Sequence, residues 1–137
     1  MASNFLSQMQ KFNIDTKEKL DEVGLRAKLA VGNYLVSRTR IAKPETWNPP
    51  RTDHIPGAMR GNWRVGGTYP FEPERRNRTL KIRAEEAAKI TPIGLTVFTN
   101  TTPYLLVYEE KDAMIARTIA AIDQIVTQAI MEVGSRG

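Results

Sequence analysis

Gly57-Ala58-Met59-Arg60-Gly61-Asn62-Trp63-Arg64-Val65 runs from a loop rich in proline and glycine straight into a stretch with strand character. On an extended chain Trp63 and Val65 fall on one side, and Asn62 and Arg64 on the other. That alternation predicts a strand from about Arg60, ended by Gly66-Gly67. A second stretch, Val97-Phe98-Thr99-Asn100-Thr101-Thr102-Pro103-Tyr104, answers the first. Leu95-Thr96-Val97-Phe98-Thr99 is β-branched and aromatic, which favours a strand. It has apolar groups on both faces, which predicts a central position in a sheet. Asn100-Thr101-Thr102 turns the chain. Thr102 before Pro103 fits an N-cap followed by proline at the first helical position. A short helical turn through Tyr108, or else a strand, is expected there.

Outward from these stretches the pattern is helical. Asp15 and Glu18 fit a capping box, and Leu20, Val23, Ala27, Ala30, Val31 and Tyr34 recur at three- and four-residue spacing. This predicts a helix over 16–39. Leu25, Leu29 and Val36 lie off the stripe, as a second core contact or a subunit contact. Ala84-Glu85-Glu86-Ala87-Ala88-Lys89 are strong helix formers, predicting a helix over 79–89, with Thr79 to Ile82 readable as a strand instead. At the far end Asp112 caps a helix over 113–132 that Gly134 stops. Ile115, Ile119, Ile122, Val126, Ile130 and Val133 make its stripe, and Met114, Ala121, Ile125 and Ala129 widen it, enough for burial on two sides. Residues 42–56 hold four of the eight prolines and read as a long loop, as do residues 69–77. Phe5, Met9 and Phe12 suit a short amphipathic turn or an arm ordered by a partner. The expected architecture is α+β: a small antiparallel sheet packed by two long helices, N- and C-terminal, plus a short middle helix, with long loops. Residues 1–14 form an arm and residues 15–137 a single domain.

Length and composition set limits. The chain has 137 residues, of which 41% are hydrophobic and 26% charged, which suits one globular domain with a modest core. It lacks cysteine, which excludes disulfides, thiol catalysis and thiolate metal sites. No apolar run reaches the ~18 residues of a membrane span, and the first residues lack the charged and apolar regions of a secretory signal. The net charge of +5 is uneven: +3 over residues 1–56, +4 over 57–92 and −2 over 93–137. The basic middle is a solvated loop face, a surface toward polyanions, or one half of a head-to-tail contact with the acidic end.

No catalytic arrangement emerges. The glycines at 66 and 67 lack the spacing that cradles phosphates, and no nucleophile sits in a recognisable elbow. Glu85-Glu86 and Glu109-Glu110 are adjacent on helices, where neighbours diverge, and read as solvated. His54, the single histidine, reads as a solvated loop residue. No enzyme activity, cofactor or metal is expected. Trp63, Arg64, Arg75, Arg76 and Arg78 combine an aromatic with cations as nucleic-acid readers do, without a matching single-strand-binding motif.

The succession Pro56 to Val65 resembles a signature of neck and tail-completion proteins of long-tailed bacteriophages, the head–tail connectors, in which Thr-Gly-x-x-Arg-Gly-Asn-Trp leaves a loop and enters the first strand. Pro56 stands where the threonine is usual. Thr99-Asn100-Thr101-Thr102-Pro103-Tyr104 resembles that family's Asn-Asn-x-Pro-Tyr, with one more residue before the proline. In the following segment the glutamate is kept at Glu109, while the family's glycine and proline are absent. Element order also resembles the family across roughly 15–133. The resemblance implies Gly57, Arg60, Gly61, Asn62, Trp63, Asn100, Pro103 and Tyr104 as structural motif residues, with Trp63 and Phe98 in the core and Asn100 bonded to the turn backbone. It implies Arg64, Arg75, Arg76 and Arg78 as contacts to a DNA channel or to neighbouring rings. It further implies a ring homo-oligomer in the virion neck, made in the host cytoplasm. Its partners would be portal or adaptor proteins, tail terminator, tube or sheath proteins, and passing genomic DNA without sequence preference, with no membrane. A tail terminator ring and a small basic nucleic-acid-binding protein are the alternatives.

Overall fold

The computed structural model describes residues 2–39, 58–67, 81–102 and 105–135. In chain order its elements are α1 (Ala2–Lys11), α2 (Lys17–Arg38), α3 (Ala58–Gly61), β1 (Arg64–Val65), α4 (Ala84–Ala87), β2 (Phe98–Thr99), α5 (Leu105–Asp112) and α6 (Met114–Ser135). The described chain is mostly helical with one two-stranded antiparallel sheet. The expected loops at 42–56 and 69–77 lie outside the described residues, as do Gly57, Pro103, Tyr104, Arg75, Arg76 and Arg78.

Helices α2 and α6, 22 residues each, form the frame. Arg26 of α2 meets Glu132 of α6 at 2.9 Å, and Thr39, just past α2, meets Met114 at the start of α6. The two helices therefore run antiparallel. Between them lie two apolar clusters. One gathers Leu35, Val36, Met59, Trp63, Val65, Ile82, Ile90, Leu105, Tyr108 and Met114. The other gathers Val23, Ala27, Ala129, Ile130 and Val133, with Met9, Phe12 and Ile14 packed on it. The first fourteen residues thus contribute a helix, α1, which packs against α6 together with Phe12 and Ile14 just after it. No described helix is long and apolar enough to cross a membrane.

Several local expectations change. The N-cap of α2 is Thr16, whose hydroxyl accepts from the Lys19 amide at 3.2 Å. Asp15 instead faces the Lys19 ammonium at 3.5 Å. Val36, expected off the stripe, is among the most buried residues, while Leu20 is exposed. Around Arg60 the chain makes a helical turn, Ala58–Gly61, closed by Asn62 donating to the Met59 carbonyl. The strand therefore starts only at Arg64. The middle helix shrinks to Ala84–Ala87. Ile82 sends its side chain into the core and donates its amide to Asn33 Oδ1 at 3.0 Å, and Arg83 is extended. Both departures pull that segment out of helix. The expected central strand is reduced to Phe98–Thr99 in a sheet of two, because the residues leading into it project past the end of β1.

The last third of the chain is re-punctuated in the same way. Helix α5 runs on to Asp112, past the Tyr108 expected as its end. Ala113 adopts a left-handed conformation at φ 51°, its amide bonded to the Glu109 carbonyl at 2.7 Å, and this single residue separates α5 from α6. The cap of α6 comes from Glu109 rather than Asp112: its carboxylate accepts from the amides of Ile115 (2.8 Å) and Ala116 (3.3 Å). A carboxylate there also opposes the positive end of the helix dipole. Gly134 does not stop α6, which continues through Ser135. Its lack of a side chain serves packing, since a Cβ there would lie 2.6 Å from Phe12.

Candidate functional site

The two stretches that dominate the sequence meet in space. Arg64 pairs with Thr99 and Val65 with Phe98. The Gly66 amide donates to the Val97 carbonyl at 2.9 Å, and the Thr99 hydroxyl donates to the Gly66 carbonyl at 2.8 Å. Asn100 makes the decisive link. Its Nδ2 donates to the Met59 carbonyl at 2.7 Å, and its Oδ1 accepts from the Thr102 amide at 3.0 Å. One side chain thus holds the helical turn that opens the first stretch and shapes the turn that closes the second.

The other partners of this junction come from α2 and α4. Trp63 is 4% exposed, and its indole Nε1 donates to the Thr39 hydroxyl at 2.7 Å. That hydroxyl donates onward to the Leu35 carbonyl at 2.6 Å. Arg60 Nε donates to the Thr39 carbonyl at 2.7 Å. Arg60 therefore takes up one of the carbonyls that a helix end leaves without intrahelical partners, and Trp63 braces the hydroxyl that takes up another, that of Leu35. Burial lowers the Arg60 pKa from the ordinary arginine value, yet a guanidinium stays charged at any physiological pH. Gly61 is buried and its carbonyl accepts from Arg83 Nε at 3.2 Å.

Glu86 completes the junction and overturns the reading of Glu85-Glu86 as a solvated pair. It is almost fully buried, while Glu85 is exposed. Its Oε1 accepts from the Val65 amide at 3.0 Å and from Lys89 Nζ at 3.0 Å, and its Oε2 lies 3.2 Å from the same ammonium. A buried carboxylate is tolerated only when so paired and bonded. Here it occupies the β1 amide that β2 does not reach.

Arg64, expected to face a channel or a neighbouring ring, is 6% exposed. One guanidinium nitrogen donates to Asn62 Oδ1 at 3.4 Å. Asn62, Trp63, Arg64 and Val65 are buried in succession, so neither side of this strand is a solvent face. Arg75, Arg76 and Arg78 lie outside the described residues.

Sequence reasoning missed Thr39, Glu86 and the capping role of Glu109. It also missed Gly24 and Gly32, which bracket Lys28 at four-residue spacing on α2. A Cβ on Gly24 would sit 2.3 Å from the Pro92 carbonyl oxygen, and one on Gly32 would sit 2.8 Å from the Phe98 ring. Lys28 Nζ donates to the carbonyls of Thr91 and Gly94, each at 2.8 Å. Two glycines inside a helix cost roughly 1 kcal/mol each relative to alanine, and that cost was the available signal that something presses against this face.

The arrangement binds elements to one another, and its polar atoms are spent on backbone groups rather than gathered around a cavity. No protein-family model, curated protein or solved structure matches this chain.

Proposed function

We propose that the protein is a structural virion subunit of a long-tailed bacteriophage, a head–tail connector or tail-completion protein acting as an oligomeric ring in the neck. The observation that carries the reading is the interlock of the two signature-like stretches through Asn100, Met59, Thr99 and Gly66. Residues far apart in the chain, and alike to one family's motifs in the same order, serve one joint. A joint of directional bonds suits a subunit that must keep its shape under load rather than one that opens around a substrate.

Surface chemistry agrees with a role in an assembly. Leu106, Val107 and Ile119 are large apolar side chains left exposed on α5 and α6. An open groove of about 420 Å³ between α2 and α6 is lined by Ala30, Tyr34, Ala121 and Ile125 and as well by Arg26, Arg38, Gln124, Gln128 and Glu132. Exposed apolar surface of this kind marks contact sites. Unlike patches on one subunit close into a ring when the rotation between copies allows. The reading of the protein as a nucleic-acid binder is weakened, because a buried Trp63 offers no platform for base stacking.

The test is a reconstruction of the virion neck together with a deletion of the gene. The expected outcome is this chain as a ring on the particle axis, and DNA-filled heads that fail to join tails in its absence. Finding the chain absent from the neck, or present as one copy off the axis, overturns the reading.

A further inference from the structure

The register of the sheet fixes which backbone groups are spent. The Gly66 amide bonds the Val97 carbonyl, and the bridges run Arg64 to Thr99 and Val65 to Phe98. In an antiparallel pair, alternate residues point their amide and carbonyl toward the partner strand. Val97 and Thr99 therefore face β1, and the amide and carbonyl of Phe98 face away from it. Val65 faces away on the other side, and there its amide is taken by the Glu86 carboxylate. The two edges differ: β1 is closed by a buried charge, while the outer edge of β2 has no strand beside it among the described residues.

Natural proteins guard such edges with lysine, proline or a bulge. The approach to β2 does the opposite. Leu95 is 88% exposed and Val97 is 43% exposed, while Thr96 and Phe98 are half-buried. From Leu95 onward the exposure alternates as along a strand, with apolar outer side chains; before it Gly94, at φ 86°, bends the chain. From Ile90 to Tyr108 the sequence contains no charged residue.

We propose that the outer edge of β2 docks a second copy of this chain, the two β2 strands pairing antiparallel about a two-fold axis at Phe98. Only another strand satisfies an outward amide and carbonyl while covering the side chains beside them. An antiparallel pair centred on Phe98 is closed by Phe98 of the second copy, each residue giving one bond and receiving one. The edge is thus complementary to itself, as a two-fold contact requires. A charge near such an axis meets its own copy, so the uncharged run around β2 is what self-docking needs and a differently charged partner would not. In this register Val97 lies opposite Thr99 of the second copy and diagonally beside its Val97, within reach of side-chain packing.

The contact is short. It covers less than the roughly 800 Å² per partner of a standard interface, so dimerisation is weak and concentration-dependent. It does not depend on the neck reading: a head-to-tail ring can form without it, and it can form in a protein that builds no ring.

Sedimentation velocity and amide hydrogen exchange on the full chain, across a hundredfold range of protein concentration, test it. The expected result is a dimer fraction that grows with concentration, with exchange at the Phe98 amide slowing several-fold in step. Val97→Lys puts like charges at the axis and returns both mass and exchange to those of the monomer. Leu95→Lys, at the most exposed position, does the same if the first variant folds poorly. Exchange at Phe98 that is independent of concentration overturns the proposal, whether or not the protein associates. Dimerisation undiminished in both lysine variants overturns it equally.

Discussion

The two ends of the α2–α6 pair are built by different means. At the end where α2 finishes, one threonine gathers the structure: the Thr39 hydroxyl serves Trp63 and Leu35, and its carbonyl serves Arg60. Asn100 and Glu86 tie the sheet to the same place. At the other end, where α6 finishes, Val23, Ala27, Ala129, Ile130 and Val133 meet Met9, Phe12 and Ile14 in an apolar cluster, and Gly134 gives way to Phe12. The polar links there, Arg26 to Glu132 and Lys19 to the Asn13 carbonyl, lie at the exposed rim of that cluster. Directional bonds specify one arrangement, and losing one partner strands the others. Apolar contact is more tolerant of substitution and fails gradually. The first end is suited to carry a fixed geometry, and the second to anchor a separable element, α1.

The largest expected effect comes from Trp63→Ala. It removes a buried indole and leaves the Thr39 hydroxyl short of a partner, costing about 3–5 kcal/mol. Chemical unfolding measures it directly. A melt unchanged within error would move Trp63 to the surface and take the directional end of the comparison with it. Next is Glu86→Ala, which removes the acceptor of the buried Val65 amide and one partner of Lys89. We expect a loss of about 2–3 kcal/mol, in the range for orphaning buried polar groups. Glu85→Ala, on the exposed side of the same turn, is the control and should lie within about 0.5 kcal/mol of the parent.

How much of this was legible in the sequence follows the same division. The long helices could be read because apolar periodicity is a property of neighbours along the chain. Trp63 in the core and the link between the two stretches could be read from the motifs. Thr39 and Glu86 could not, because each is defined by a partner supplied from elsewhere in the fold. The cap from Glu109 is local, but it depends on the left-handed Ala113 between the helices, which periodicity does not signal. Glu86 looks like a surface glutamate until Val65 is placed beside it. The strand expected at 95–99 was misjudged for a related reason: β-branched composition suits a strand, but strand length is set by the partner, and β1 is two residues long. The helix expected through Lys81 and Ile82 failed because Asn33, distant in sequence, competes for the Ile82 amide.

Gly134→Ala probes the apolar end. A Cβ there collides with Phe12 Cβ and the Phe12 carbonyl oxygen, both at 2.6 Å. The collision is relieved by moving α1 away, at a cost of about 1–2 kcal/mol. The expected signature is local: faster hydrogen exchange across α1, with the amides of Val65 and Thr102 unaffected. Loss of protection at those two amides as well would mean that the ends are coupled and the division between them is false.

The smallest effect is expected at Lys17, in the first turn of α2 and on the α1 side of the molecule. Its ammonium donates to Asp21 Oδ2 at 2.8 Å. That hydrogen bond, then the charge of Asp21 itself, raises the Lys17 pKa from its ordinary value. A pKa raised by folding means that the associated stability is fully present below the unfolded pKa and is lost as pH rises through the folded one. The window is therefore alkaline, above the ordinary lysine range, and neutral pH lies well outside it. The group is solvent-exposed, where water and salt screen such pairs. Lys17→Gln should leave the thermal midpoint unchanged within error near neutral pH, and only flatten the fall of stability on the alkaline side. A clear drop at neutral pH would show that the exposed Lys17–Asp21 pair, and not only the Thr16 cap, holds the start of α2.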